Sequence, residues 1–164
     1  MAMGDALAMC LLRLRNFRAE DYAVFHPGGN LGKQLMTTVR DIMAGGDRLP
    51  QVPETATVGQ AIAEIQAKGF GVTAVVDERG ILCGAFSMGD FTRLHLRDAG
   101  MGTLGRSIAE TMTRGPKTIA PELLAEQALN LMETHQIRAL FVVDGERRPV
   151  GVIGIYEVLK AIDY

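Results

Sequence analysis

The chain has 164 residues, is 48% hydrophobic and 22% charged, and carries a formal net charge of −2. That is the balance of a globular protein, long enough for one ordinary domain or for two small lobes sharing a core. Scattered Lys and Arg and few aromatics argue against a basic nucleic-acid surface or a base-stacking platform, and no apolar run approaches the roughly 18 residues needed to cross a membrane. Met1 to Leu14 is apolar but carries Asp5 early and lacks a basic start and a small-residue cleavage site, so it does not read as a signal peptide. Cys10 and Cys83 stand far apart in apolar settings. They are expected as two buried thiols in a reducing, cytoplasmic environment rather than as a disulfide.

Residues 3–15 have helical periodicity, with Met3, Leu7, Cys10, Leu11 and Leu14 on one face. A short helical piece at 19–24 leads into the turn-rich stretch from Phe25-His26-Pro27-Gly28-Gly29 to Lys33. So short an apolar helix cannot bury its stripe alone. It is expected either to cover the following lobes or to belong to a larger body.

From residue 38 the chain repeats itself. Shifting it by 67 residues places Gln60-Ala61 on Gln127-Ala128, Val75-Val76-Asp77 on Val142-Val143-Asp144, and Gly84 on Gly151. Upstream, Asp41-Ile42-Met43 resembles Glu110-Thr111-Met112, with two extra residues in the first copy's loop. An internal repeat takes precedence over local readings. Each copy reads as a short strand near Val52 or Ile119 and a helix over 58–67 or 123–134. A buried strand over 72–76 or 139–143 follows, then a hairpin turn at Asp77 or Asp144. A strand over 82–86 or 149–153 and a closing helix complete the copy. The order is β-α-β-β-α, an α+β arrangement with helices on one side of a small sheet. One copy alone is marginal in size, so two copies related by a pseudo-twofold axis are expected to share a core. Residues 98–106, with three glycines, form the linker.

The junction Gly84-Ala85-Phe86-Ser87-Met88-Gly89-Asp90 is the most informative short stretch. A strand ends at Ser87 and a helix begins, with Ser-x-x-Asp in capping-box spacing. Free N–H groups at such a helix start also make a phosphate site. The spacing alone fits a structural cap or a binding site. The second copy has Gly151, Gly154 and Glu157 at the matching positions: Gly still serves as an N-cap, but the hydroxyl is gone. His95 and His135 have no spaced Cys, His or Asp partner, so no metal site is expected. Arg93 and Arg138 fit phosphate contacts or an exposed charged face.

The repeat resembles a tandem pair of cystathionine-β-synthase (CBS) domains. Asp41-Ile42-Met43, Glu110-Thr111-Met112, the run from Arg138 to Asp144, and the junctions at Gly84 and Gly151 carry the resemblance over roughly three quarters of the chain. The family's nucleotide pattern, Gly-x-x-Thr/Ser-x-x-Asp, is met by Gly84, Ser87 and Asp90, and the second copy departs from it at both polar positions. The resemblance implies a phosphate on Ser87 and the N–H groups of Met88 and Gly89, and ribose hydroxyls on Asp90. The base would lie near Val52, Pro53, Gly71 and Val72, and a weaker second site is implied at Gly154 and Glu157.

Gly4-Asp5-Ala6-Leu7-Ala8, Ala19-Glu20-Asp21, His26-Pro27-Gly28-Gly29 and Leu31-Gly32 resemble the end of the sugar isomerase (SIS) domain of bacterial D-arabinose-5-phosphate isomerases, where it passes into their CBS pair. Met88-Gly89-Asp90 with Arg93 resembles the same family. The organisation implied is an SIS remnant and linker at 1–37, CBS copies at 38–98 and 107–164, and a linker at 99–106. The family's reaction, interconverting ribulose 5-phosphate and arabinose 5-phosphate toward the Kdo sugar of lipopolysaccharide or capsule, needs a phosphate loop and catalytic Lys and acidic residues that are not found here. Only His26 matches a catalytic position, so the chain is expected to be a fragment and inactive alone. It is expected to need no cofactor and to serve as a regulatory, self-associating pair responding to a nucleotide-type ligand such as CMP-Kdo, AMP or ATP. The alternatives are a dimerising module that binds nothing and an isomerase subunit contributing His26 to a partner.

Overall fold

The structure, a computed structural model, describes residues 36–98 and 101–162, together with 10, 11 and 13–15. The loop carrying His26, the helical piece expected at 19–24 and most of the helix expected over 3–15 lie outside the described residues. Of that helix's apolar stripe, Leu11 and Leu14 are 49% and 81% exposed.

The first copy runs α1 (Val39–Ile42), β1 (Gln51–Pro53), α2 (Val58–Lys68), β2 (Val72–Val76), β3 (Leu82–Ser87) and α3 (Met88–Arg97). The second runs α4 (Ile108–Thr111), β4 (Thr113–Arg114), β5 (Thr118–Ile119), α5 (Ala125–His135), β6 (Ala139–Val143), β7 (Pro149–Gly154) and α6 (Ile155–Ile162). Two sheets result, β1-β2-β3-β4 and β5-β6-β7. In each copy the first strand runs parallel to the second and the second antiparallel to the third. The register even slips at equivalent places, between Val75 and Val76 and between Val142 and Val143.

The central strands β2 and β6 are apolar, except for the buried Thr73 of β2, because both their faces are covered. On the first sheet Val75 and Phe86 meet Val58, Ala61 and Ile65 of α2 and Leu94 of α3. On the second, Leu140, Val142 and Ile153 meet Ala128 and Met132 of α5 and Val158 of α6. The opposite faces meet each other: Ala74 and Leu82 share a buried cluster with Phe141 and Val152. That cluster is the common core expected from two copies too small to stand alone.

The short lead-in helices cross over. Val39 of α1 is buried among Ile119, Ala125 and Ile153 of the second copy, and Ile108 of α4 among Val52, Val58 and Phe86 of the first. Backbone pairing fixes both crossings. The Val39 N–H donates to Leu123 O (2.8 Å) and Ala125 N–H to Thr37 O (2.9 Å), while Val58 N–H donates to Arg106 O and Ile108 N–H to Ala56 O (both 2.9 Å). The crossing explains two glycines. A Cβ on Gly84 would run into the Met112 side chain, and one on Gly151 would lie 2.7 Å from Met43 Sδ. Each lead-in methionine therefore fills the space left by a missing side chain in the other copy's third strand.

Neither cysteine is the buried thiol expected. Cys10 is exposed, and Cys83 is half-buried because alternation along β3 gives full burial to Leu82, Gly84 and Phe86 instead. The Cys83 thiol donates to Val75 O (3.2 Å). Burial, and then the Glu54 carboxylate, push its pKa up, so it stays protonated.

The linker is clipped by charge. Asp98, capping α3, accepts from Arg106 Nη1 at 2.8 Å and from Arg97 Nε at 3.4 Å. The Arg106 bond, aided by the one from Arg97, holds the Asp98 carboxyl below its ordinary value against the opposing desolvation. A depressed carboxyl pKa contributes stability that is present above the ordinary value of ~4 and lost as the pH falls through the lowered one. Asp98→Asn is thus expected to lower the melting temperature near neutral pH and to leave it unchanged in strong acid. Melting curves that stay parallel across the whole range would show that the clip contributes nothing.

Candidate functional site

The Ser87 junction forms because β3 ends in extended backbone and its last side chain can receive a donor from the first turn of α3. Ser87 caps α3 in a full capping box. The Asp90 N–H donates to Ser87 Oγ (3.2 Å), and the Ser87 N–H and O–H both donate to Asp90 Oδ2 (2.9 and 2.6 Å). Arg93, one turn along, pairs with Asp90 Oδ1. The Met88 N–H donates to Gly71 O (3.0 Å), which ties the helix start to the start of β2.

This junction forms one wall of a cleft of about 800 Å³ between the two copies. From the first copy Gly71, Val72, Ser87, Met88, Gly89, Asp90 and Arg93 line it, with Phe70 and Ala85. The rest of the lining comes from the second copy: Thr113, paired with Ala85 at the edge of the first sheet, Gly115, Pro116 and Lys117 of the crossed lead-in, then His135, Gln136, Ile137, Arg138, Ala139 and Phe141. Phe70, Val72, Ile137 and Phe141 give apolar lining suited to a flat ring, and Ser87, Gly89 and the basic side chains give polar lining. Such a cleft holds an organic anion with its charge at the start of α3.

Six of the nine first-copy positions singled out in the sequence line this cleft: Gly71, Val72, Ser87, Met88, Gly89 and Asp90. Three do not. Gly84 is buried against Met112, Val52 is buried beneath α2, and Pro53 is exposed at the end of β1. Val52 and Gly84 belong to the helix-covered core and Pro53 ends the strand on the far side of β2, while the cleft is lined from the start of β2 and the end of β3. Gly154 and Glu157 lie at the second junction, outside this cleft. There a Cβ on Gly154 would meet Glu157 Oε2 at 2.5 Å, so the Glu157 carboxylate already occupies the space over the helix start.

Sequence reasoning missed Phe70, Thr113, Lys117 and Gln136, and considered His135 only as a metal ligand, whereas it lines the cleft. The shift of 67 residues pairs Phe70, Gly71 and Val72 with Ile137, Arg138 and Ala139, which face them across the cleft. That symmetry was the available signal. Among the described residues no group of His, Cys, Asp or Glu could hold a metal ion, and no helix is long and apolar enough to cross a membrane.

The CBS domain family's sequence profile matches residues 38–97 and 106–164. The chain belongs to the CBS domain family. As a CBS pair it has a mixed α/β fold whose described residues make two sheets and six helices. It is 44% identical over 161 residues to the arabinose 5-phosphate isomerase KdsD of Pseudomonas aeruginosa, covering 98% of this chain and 49% of the relative. It is 41% identical to KdsD of Escherichia coli K12, covering 98% of this chain and 48% of that one. The chain thus spans about half the length of these curated relatives. Among solved structures, CBSX2 of Arabidopsis thaliana in complex with AMP is 26% identical with a TM-score of 0.66, covering 76% of this chain and 95% of that one.

Proposed function

We propose that this CBS pair is the ligand-sensing module of an arabinose-5-phosphate isomerase, and that it takes a nucleotide-type ligand in the cleft beside Ser87–Asp90. The division of the chain is then an SIS remnant and linker at 1–37, CBS copies at 38–98 and 107–164, and a linker at 99–106. The observation that carries the reading is the convergence of the open Gly89 N–H at a helix start, a hydroxyl, a carboxylate and apolar side chains on one cleft. The identity to KdsD and the AMP complex of CBSX2 support it.

Before a ligand arrives, Ser87, Asp90 and Arg93 satisfy one another. Binding is therefore an exchange. The Ser87 hydroxyl turns from Asp90 to a phosphate oxygen, the N–H of Gly89 donates to the same group, and ribose hydroxyls replace the Ser87 donor on Asp90. Because the walls come from different copies, a ligand that fits one arrangement shifts the pair toward it and passes that bias to the attached isomerase domain. CMP-Kdo, as a product further along the path, and the adenine nucleotides AMP and ATP are the ligands of first choice. His26 would act only in the complete, cytoplasmic enzyme, and the pair would self-associate to assemble it.

Crystals of the chain grown with AMP, ATP or CMP-Kdo test this. The expected result is a nucleotide in the cleft with its ribose on Asp90. An empty cleft with all three would overturn the reading.

A further inference from the structure

The cleft is lopsided in charge. Arg93, Lys117 and Arg138 line it against a single carboxylate, Asp90, although the whole chain carries a net charge of −2. Arg93 is committed to Asp90. Lys117 and Arg138, both exposed on the second copy's wall, have no carboxylate partner among the described residues. The repeat makes the asymmetry specific to this side. Under the 67-residue shift Arg138 corresponds to Gly71 and Lys117 to Pro50, so the second junction has no counterpart of either cation. The basic groups near that junction are already engaged: Lys68 Nζ donates to Asp47 O, and Arg48 lies 6.0 Å from the centre of the Phe70 ring.

Two cations without a carboxylate partner among the described residues raise the local concentration of anions in a cleft. A guanidinium is also the side chain best shaped to grip two oxygens of a phosphate or carboxylate. The first anionic group of a ligand is provided for by Ser87 and the start of α3. Lys117 and Arg138 are therefore surplus to a ligand with one phosphate.

We propose, resting on the nucleotide reading above, that the cleft selects ligands with two anionic groups, and that Lys117 and Arg138 are the specificity-determining residues for the second. A further phosphate or the carboxylate of a nucleotide-linked sugar acid supplies the same chemistry. Because the first group is held by the first copy and the second by the other copy, such a ligand ties the two copies together across the cleft. One chain then binds one ligand, since the second junction lacks the cations and has its helix start covered by Glu157.

Calorimetric titration of the chain with AMP against ADP, and with CMP against CMP-Kdo, distinguishes the two sources of the second anion. At low salt at least one two-anion ligand is expected to bind about tenfold more tightly than its one-phosphate parent, at a stoichiometry of one, and added salt should shrink the ratio. Arg138→Gln and Lys117→Gln, both exposed changes whose folding is checked by melting, are each expected to reduce that ratio, and together to bring it near unity. Equal affinities for one- and two-anion ligands, or a ratio that survives both substitutions, would overturn this proposal alone. No binding of any of the four would overturn the nucleotide reading with it.

Discussion

Ile108→Ala is expected to destabilise the chain by about 2–5 kcal/mol, the usual cost of emptying a buried Ile site. Ile108 is fully buried, yet its position in the second CBS match would assign it to the second copy's core. The structure instead seats it under the first sheet, against Val52, Val58 and Phe86. The substitution should therefore loosen the sheet it covers before the one that follows it in sequence. Hydrogen exchange reads this directly: protection should fall first in β2 and β3 and only later in β6 and β7. Val39→Ala should show the mirror pattern, since Val39 lies under the second sheet. Larger losses in β6 and β7 for Ile108→Ala would contradict the crossing of the lead-in helices.

The crossing is also where reading the sequence stopped short. The strands were legible, since β2 and β6 fill the expected spans 72–76 and 139–143. Short runs of apolar and β-branched residues ending at the Asp77 and Asp144 turns fix them. Thr57 and Gln60 stand at the same local capping-box spacing, and the box forms, with Gln60 Oε1 accepting from the Thr57 N–H at 2.9 Å. The second copy keeps only half of it. Gln127 accepts from the Leu124 N–H, but Leu124 has no oxygen to return the bond, and α5 starts at Ala125 rather than at 123.

Which copy a lead-in helix covers depends on contacts distant in sequence, and periodicity does not encode them. Gly84 shows the consequence. The resemblance gave it to the nucleotide pattern, whereas its missing Cβ makes room for Met112 from the other copy. The cleft's near wall was legible because the junction is local. The rest of its lining, Thr113 to Lys117 and His135 to Phe141, needed the crossing and the pseudo-symmetry to be seen.

Ser87 is where cap and binding site make different demands, and the second copy already supplies the substitution that separates them. Glycine stands at the matching position, Gly154, and α6 begins there all the same. Ser87→Gly should cost the fold only a few tenths of a kcal/mol as an N-cap change. It removes, however, the hydroxyl that would donate to a phosphate. A hydrogen bond to a charged group is worth about 1.5–3 kcal/mol, so affinity should fall by roughly tenfold or more. Part of that loss is returned because Asp90 no longer has to release the Ser87 donor, which places the expected value near the lower end.

The decisive measurement is a paired calorimetric titration of the unaltered chain and Ser87→Gly with ATP and CMP-Kdo, with melting curves recorded on the same samples. The account predicts that the unaltered chain binds one of the two, and that the substitution weakens it about tenfold at a nearly unchanged melting temperature. Unweakened binding by Ser87→Gly, or no heat from either ligand with the unaltered chain, would reduce the junction to a helix cap and contradict the account.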